Sequence, residues 1–192
     1  MKIQKIAKLC KKRGVIRIVT RIMPGKEQQL IGDGCALYFT GALPQLDEAS
    51  VLATLDIPEK KRKLFDIQEE NASIMDVSLM DNLESDKMIA REEIITLGSG
   101  GDSYVILFTS QGVRLLNVAY LDPMNDASEP VTLWERTDRR DRLRIIAKSG
   151  LFLAAILEPT PLPDDVADAL GEVLAAYHQY REDPETGEIE ED

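Results

Sequence analysis

Two cysteines and one histidine are all that these 192 residues hold of the side chains that most often ligate metals or act as nucleophile and base. Cys10 falls in a predicted helix and Cys35 in a predicted strand. That count and spacing give neither a disulfide framework nor a zinc site, so both read as small buried hydrophobes. His178 stands late in the last predicted helix, between Tyr177 and Tyr180, with no nucleophile or carboxylate beside it; it reads as a surface or packing residue. Carboxylate pairs such as Asp164-Asp165 and Glu92-Glu93 occur, but none sits with a second acid and a histidine at metal-ligand spacing. Long apolar runs are missing as well. The longest, "LFLAAIL" at 151–157, is too short to span a bilayer, and the basic beginning of the chain lacks the apolar region and cleavage site of a secretory signal. The expectation is a cytoplasmic, non-enzymatic protein without membrane partner, cofactor, metal or catalytic residues.

Acids are absent from the first 26 residues, which carry nine lysines and arginines although the whole chain has a formal charge of −11. From Glu158 to Asp192 the balance reverses, with twelve acids against one arginine. Local fields decide binding when the Debye length is about 8 Å at physiological salt. The opening segment is therefore the candidate for an anionic partner.

What is present reads as an α+β chain with 44% apolar residues, enough for a core without staples. Ile3, Ile6, Ala7 and Cys10 recur at helical spacing, Lys5, Lys8 and Lys12 point away, and Gly14 stops the helix. "VIRIVTRI" alternates as a half-buried strand, broken by Pro24-Gly25, and "EQQLI" and "CALYFT" flank a Gly32-Asp33-Gly34 hairpin turn. Asp47 is the expected N-cap of a short helix carrying Val51, Leu52 and Leu55, and a strand "KLFDIQ" follows. Residues 1–70 thus form an N-terminal α+β unit. Residues 71–90 have mixed periodicity and read as a linker or surface loop that divides two subdomains.

Residues 91–181 carry the strands "EIITL", "SYVILFT", "VRLLNVAYL", "VTLWER", "RLRIIAK" and "LFLAAILE", with connections short enough for an antiparallel meander. A last helix from about Asp164 to Arg181 has Val166, Leu170, Val173, Leu174 and Tyr177 as its expected buried stripe. Residues 182–192 read as a disordered acidic tail. "GSGGD" at 98–102 is a hairpin turn, not a phosphate loop, since a strand follows it. "ERTDRRDRLR" at 135–144, next to Trp134, can clamp phosphate or pair its arginines with Glu135, Asp138 and Asp141; local ion pairing is the favoured reading.

At "MKIQKIAKLCKKRGVIRI", "IGDGCALYFTGALPQLDEASVLATLDIP", "LDPMND" and "IAKSGLFLAAILEPTPLP" the chain resembles uncharacterised proteins encoded by phages and prophages of Firmicutes, often near replication genes. The order helix, three strands, helix is also similar to half of the repeating unit of a DNA sliding clamp. That resemblance implies that Lys5, Lys8, Lys12 and Arg13 face a duplex through non-specific phosphate contacts; Arg17 and Arg21 extend the charge onto the next strand. It also implies replication proteins as partners and assembly of several copies. The competing expectation is a protein-interaction or self-associating module without DNA affinity, whose lysines are a solvated helix face.

Overall fold

Helix α1 (Ile3–Arg13) buries the stripe its spacing lays out, with Ile6, Ala7, Leu9 and Cys10 all inside. Lys11, Lys12 and Arg13 sit in its last turn, where cations complement the helix dipole, and Gly14 ends it at φ +69°, a left-handed cap whose N–H bonds the Cys10 carbonyl. The structure, a computed structural model, describes residues 2–23, 26–41, 43–72, 75–89, 91–99, 101–125 and 129–182. The expected Pro24-Gly25 break lies outside the described residues.

Strands β1 (Val15–Met23), β2 (Lys26–Gly32) and β3 (Ala36–Phe39) form the expected antiparallel meander. Its second turn relies on Gly34 at φ +91° and on the Asp33 carboxylate, which accepts from the Cys35 and Ala36 N–H groups at 3.0 and 2.9 Å. Helix α2 (Glu48–Thr54) is capped by Asp47, which accepts from the Ser50 N–H at 2.8 Å. Beyond it the expected strand starts late: Glu59–Leu64 is a 3-10 helix, and β4 (Asp66–Asn71) pairs parallel to β1 rather than as part of an antiparallel meander.

The second half supplies β5 (Lys87–Met88), β6 (Arg91–Ser99), β7 (Asp102–Thr109), β8 (Gly112–Asn117), β9 (Val131–Thr137), β10 (Leu143–Ser149), β11 (Phe152–Leu157) and β12 (Thr160–Pro161), then helix α3 (Asp164–Glu182). The strand expected through "VRLLNVAYL" stops at Asn117, whose side chain accepts from the Ala119 N–H and opens a 3-10 turn (Val118–Tyr120) instead.

The two halves share one sheet. Eight strands run in the order β4-β1-β2-β3-β11-β10-β9-β5, joined across the halves where β3 pairs with β11; a second sheet runs β12-β8-β7-β6. One face of the large sheet packs Ile16, Ile31 and Ile145 against α1, α2 and the small sheet's Val105, Leu107 and Leu116. The other face carries Val19, Leu30, Ile146 and Ile156. Strand β1, expected to be half-buried, is therefore covered on both sides.

What covers that second face is the segment expected as linker or loop. Met75, Val77 and Leu79 are buried in its cluster, and cations of the sheet hold the segment down. Arg136 donates to Asp86 at 2.8 and 2.6 Å and to the Ser78 and Met80 carbonyls. Lys148 donates to Asn82 and Asp86 at 2.9 and 2.8 Å, with its ammonium 4.4 Å from the centre of the Trp134 ring. Residues 75–89 form a strap clamped by buried charge.

Helix α3 departs furthest from expectation. Val166 is 44% exposed and Val173 61%, and no described side chain of α3 is buried. The side chains of Leu174, Tyr177 and His178, and residues 183–192 of the expected tail, lie outside those described.

Candidate nucleic-acid interface

An amphipathic helix whose apolar stripe meets a sheet must turn its lysines outward, and α1 does so. The six nominated cations are not on one surface, however. In β1, Ile16 and Ile18 face α1, so alternation sends Arg17 and Arg21 to the opposite face of the sheet. There Arg17 forms a two-pronged pair with Glu70 at 3.0 and 2.6 Å, and Arg21 donates to the Leu79 carbonyl at 2.7 Å. Both hold the chain to itself. The idea of a single basic surface running from helix into strand is corrected by this geometry.

The four cations on α1 have acids near them or none. Lys5 meets Asp122 at 3.2 Å, Lys12 meets Asp102 at 2.7 Å, and Arg13 lies 3.8 Å from Asp33. Lys8 is exposed and has no ion-pair partner among the described residues. Lys11, which was not nominated, reaches Asp56 at 3.9 Å. The ammonium of Lys12 holds the Asp102 carboxyl below its usual range. The exposed or half-exposed pairs of Lys5, Lys11 and Lys12 are worth about 0–1 kcal/mol each, so an incoming anion can exchange with them.

The structure adds cations that the sequence reading left unassigned, apart from Lys63 at the start of the expected strand "KLFDIQ". "EKKRKL" folds as the 3-10 helix at Glu59–Leu64, with its one apolar residue, Leu64, left 72% exposed. It lies against the end of α1: the Asp66 N–H bonds the Gly14 carbonyl at 2.8 Å, and a Cβ at Gly14 would stand 3.4 Å from the Leu64 carbonyl. The contact of Lys11 with Asp56 brackets the same segment from its other side. Lys60, Lys61 and Lys63 are exposed without ion-pair partners among the described residues, and Arg62 pairs with Glu48. The C-terminal end of α1, whose last turn carries Lys11, Lys12 and Arg13, thus adjoins the segment that carries Lys60, Lys61 and Lys63. The signal in the sequence was the run of four consecutive cations at 60–63.

Beside α1 on the small-sheet side runs a groove of two contiguous clefts, 430 and 270 Å³, sharing Leu9, Lys12, Asp102, Asn117 and Ala119. At one end Tyr120 donates to the buried Asp33 at 3.2 Å, and Tyr38 donates to the Tyr120 carbonyl at 2.9 Å. Burial, with the negative charge of Asp33, raises both phenols above their usual range. Cys35, half-buried rather than buried, is also raised, chiefly by desolvation, so it stays a thiol at neutral pH. These groups are poised for hydrogen bonding and not for nucleophilic attack.

Four of the five arginines of "ERTDRRDRLR" are occupied, Arg139 being exposed without a side-chain partner among the described residues. Arg142 and Arg144 pair with the buried Asp138 at 2.9 and 3.4 Å, which is the local pairing expected, while Glu135 instead accepts from Ser110. Arg140 and Arg142 also reach Asp76 of the strap. Among the described residues no group of three or more His, Cys, Asp and Glu side chains is arranged to hold a metal ion, and no helix is long and apolar enough to cross a membrane. Compared with protein-family models, with curated proteins and with solved structures, the chain matches none of them.

Proposed function

We propose that this protein is a non-enzymatic DNA-binding accessory that contacts duplex phosphates through the patch formed by the end of α1 and the 3-10 helix at Glu59–Leu64. One observation carries the reading: in a chain of net charge −11, three exposed lysines with no ion-pair partner among the described residues stand on a 3-10 helix that adjoins the basic last turn of α1. Lys60, Lys61 and Lys63 are exposed and have no ion-pair partner among the described residues, so their charge is open to an anionic partner. Non-specific phosphate contact asks only for such a patch and for no base-reading element. The resemblance to phage and prophage proteins found near replication genes supports a replication setting, in the cytoplasm of a host cell.

The test is fluorescence anisotropy of labelled duplex and single-stranded DNA, titrated across salt. Each phosphate contact contributes a slope of about −0.9 in log K against log salt for a duplex, so about four contacts give a slope near −3.6. Lys60→Glu with Lys61→Glu and Lys63→Glu should abolish binding while circular dichroism and the melting curve stay unchanged, since these side chains are exposed. Absence of binding at low salt, or binding indifferent to the triple reversal, refutes the reading.

A further inference from the structure

Helix α3 carries Val166, Leu170 and Val173 at i, i+4 and i+7, and the described residues leave both valines exposed and Leu170 only partly covered. Helices of this length take most of their stability from packing such a stripe, so an open one marks a docking face. On one flank of the stripe lie Asp165 and Glu172, both exposed and seven residues apart. The groove beside α1 offers the counterpart. Its floor includes Leu9, Val118 and Ala119, and its α1 wall carries Lys5, Lys8 and Lys12, whose outer two are again seven residues apart. Seven residues of α-helix rise roughly 10.5 Å, so the acidic pair and the lysine pair have the same pitch.

We infer that α3 of one copy docks into the α1 groove of a second copy, its valines on the apolar floor and its flank acids against the lysine wall. The acids now facing those lysines, Asp102 and Asp122, make exposed or half-exposed pairs that exchange readily, and Lys8 has no acid among the described residues. The groove shares Lys12 and Arg13 with the end of α1, but Lys60, Lys61 and Lys63 do not line it, so this inference does not rest on the DNA reading. The contact is head-to-tail: each copy offers one helix and one groove, which generates chains or a closed ring rather than a symmetric pair. It uses the helix-in-groove mode, at the small end of interface sizes, and so is weak.

Sedimentation equilibrium of the full chain over a wide concentration range reads it directly. The weight-average mass should climb from 21.4 kDa through and past the dimer. Val173→Asp should weaken association at least about tenfold, the effect of losing one buried valine contact. Lys5→Glu with Lys12→Glu should weaken it too, as should Asp165→Lys with Glu172→Lys, and an equimolar mixture of those two charge variants should recover it as assemblies in which the two variants alternate. Circular dichroism confirms that each variant is folded. A mass of 21.4 kDa at every concentration overturns the inference. So does association that needs Val173 but ignores the lysine reversals, because α3 then pairs with α3. Neither result touches DNA binding by the Lys60–Lys63 patch, which fails or stands on its own titration.

Discussion

Asp86 is a lone carboxylate between two cations that the fold has removed from water: its side chain is 2% exposed, that of Arg136 1% and that of Lys148 3%. Burial alone would raise its pKa, but the hydrogen bonds from Arg136 and Lys148 outweigh that and hold it below the usual carboxylate range. Asp138 behaves alike, its burial outweighed by the backbone N–H groups of Arg142 and Arg140 and by the Arg142 side chain. A carboxyl lowered by folding contributes stability that is complete above its unfolded value of about 3.9 and is lost as pH falls through the folded value. Urea midpoints should therefore hold steady down to about pH 4 and drop below it. Asp86→Asn should cost about 3–5 kcal/mol at neutral pH, because two buried cations lose their counter-charge, and should flatten that acid limb. Thiol chemistry gives a second check at this scale. Burial pushes the Cys10 thiol up to about 12, so a neutral-pH alkylating reagent should label Cys35 slowly and Cys10 only after denaturation, as read by peptide mass. Cys10 was legible from its place on the helix stripe. Asp86 was not: it sits 50 and 62 residues from its partners, and nothing local distinguishes it from any loop acid.

Elements whose pattern is self-contained were legible in the sequence, and those fixed by a distant partner were not. The α1 stripe, the Asp47 cap and the glycine turns follow from helical spacing, capping chemistry and backbone freedom. The β2–β3 turn is the strictest case. A Cβ at Gly32 would overlap the Ala36 carbonyl of the same hairpin, so Gly32→Ala should cost about 3 kcal/mol, the upper end for an overpacking change, measured by urea unfolding. The strap at 75–89 carries only a short alternation, Met75, Val77 and Leu79, without strand pairing, and its acids answer to distant cations, which periodicity does not report. The 3-10 helix at Glu59–Leu64 was hidden for the opposite reason: one apolar residue gives it no stripe, and the "KL" at its end joined the following strand pattern. Helix α3 kept its predicted extent but not its predicted burial, since amphipathicity says which face wants cover and not whether the same chain supplies it. Val173→Asp should thus leave the urea midpoint within about 0.5 kcal/mol, whereas Val19→Asp, at a fully buried position, should unfold the chain.

At the scale of the molecule, charge and topology are arranged independently. Cations on the strap side of the large sheet are spent on holding the chain to itself: Arg17 on Glu70, Arg136 and Lys148 on Asp86, Arg142 and Arg144 on Asp138. Those at the end of α1 and at 60–63 face outward, which is why the basic surface is smaller than the sequence suggested and displaced toward Leu64. The halves on either side of the strap are tied by three kinds of link. β3 pairs with β11 at Tyr38, Leu37 and Ala36; the Tyr38 hydroxyl reaches the Tyr120 carbonyl; and one apolar cluster contains residues of α1, α2 and the small sheet together. Removing either half would strip a neighbour from β3 or β11 and open that cluster to water. Urea unfolding followed by Trp134 fluorescence, a probe in β9, and by far-ultraviolet circular dichroism, which averages over all elements, should give superimposable transitions. Fragments covering 1–72 and 91–163 should each fail to show a cooperative transition alone, and mixing them should restore less than the intact chain because the strap is missing from both. Two separated transitions, or a fragment that melts cooperatively by itself, would mean that the β3–β11 seam joins two independently stable units.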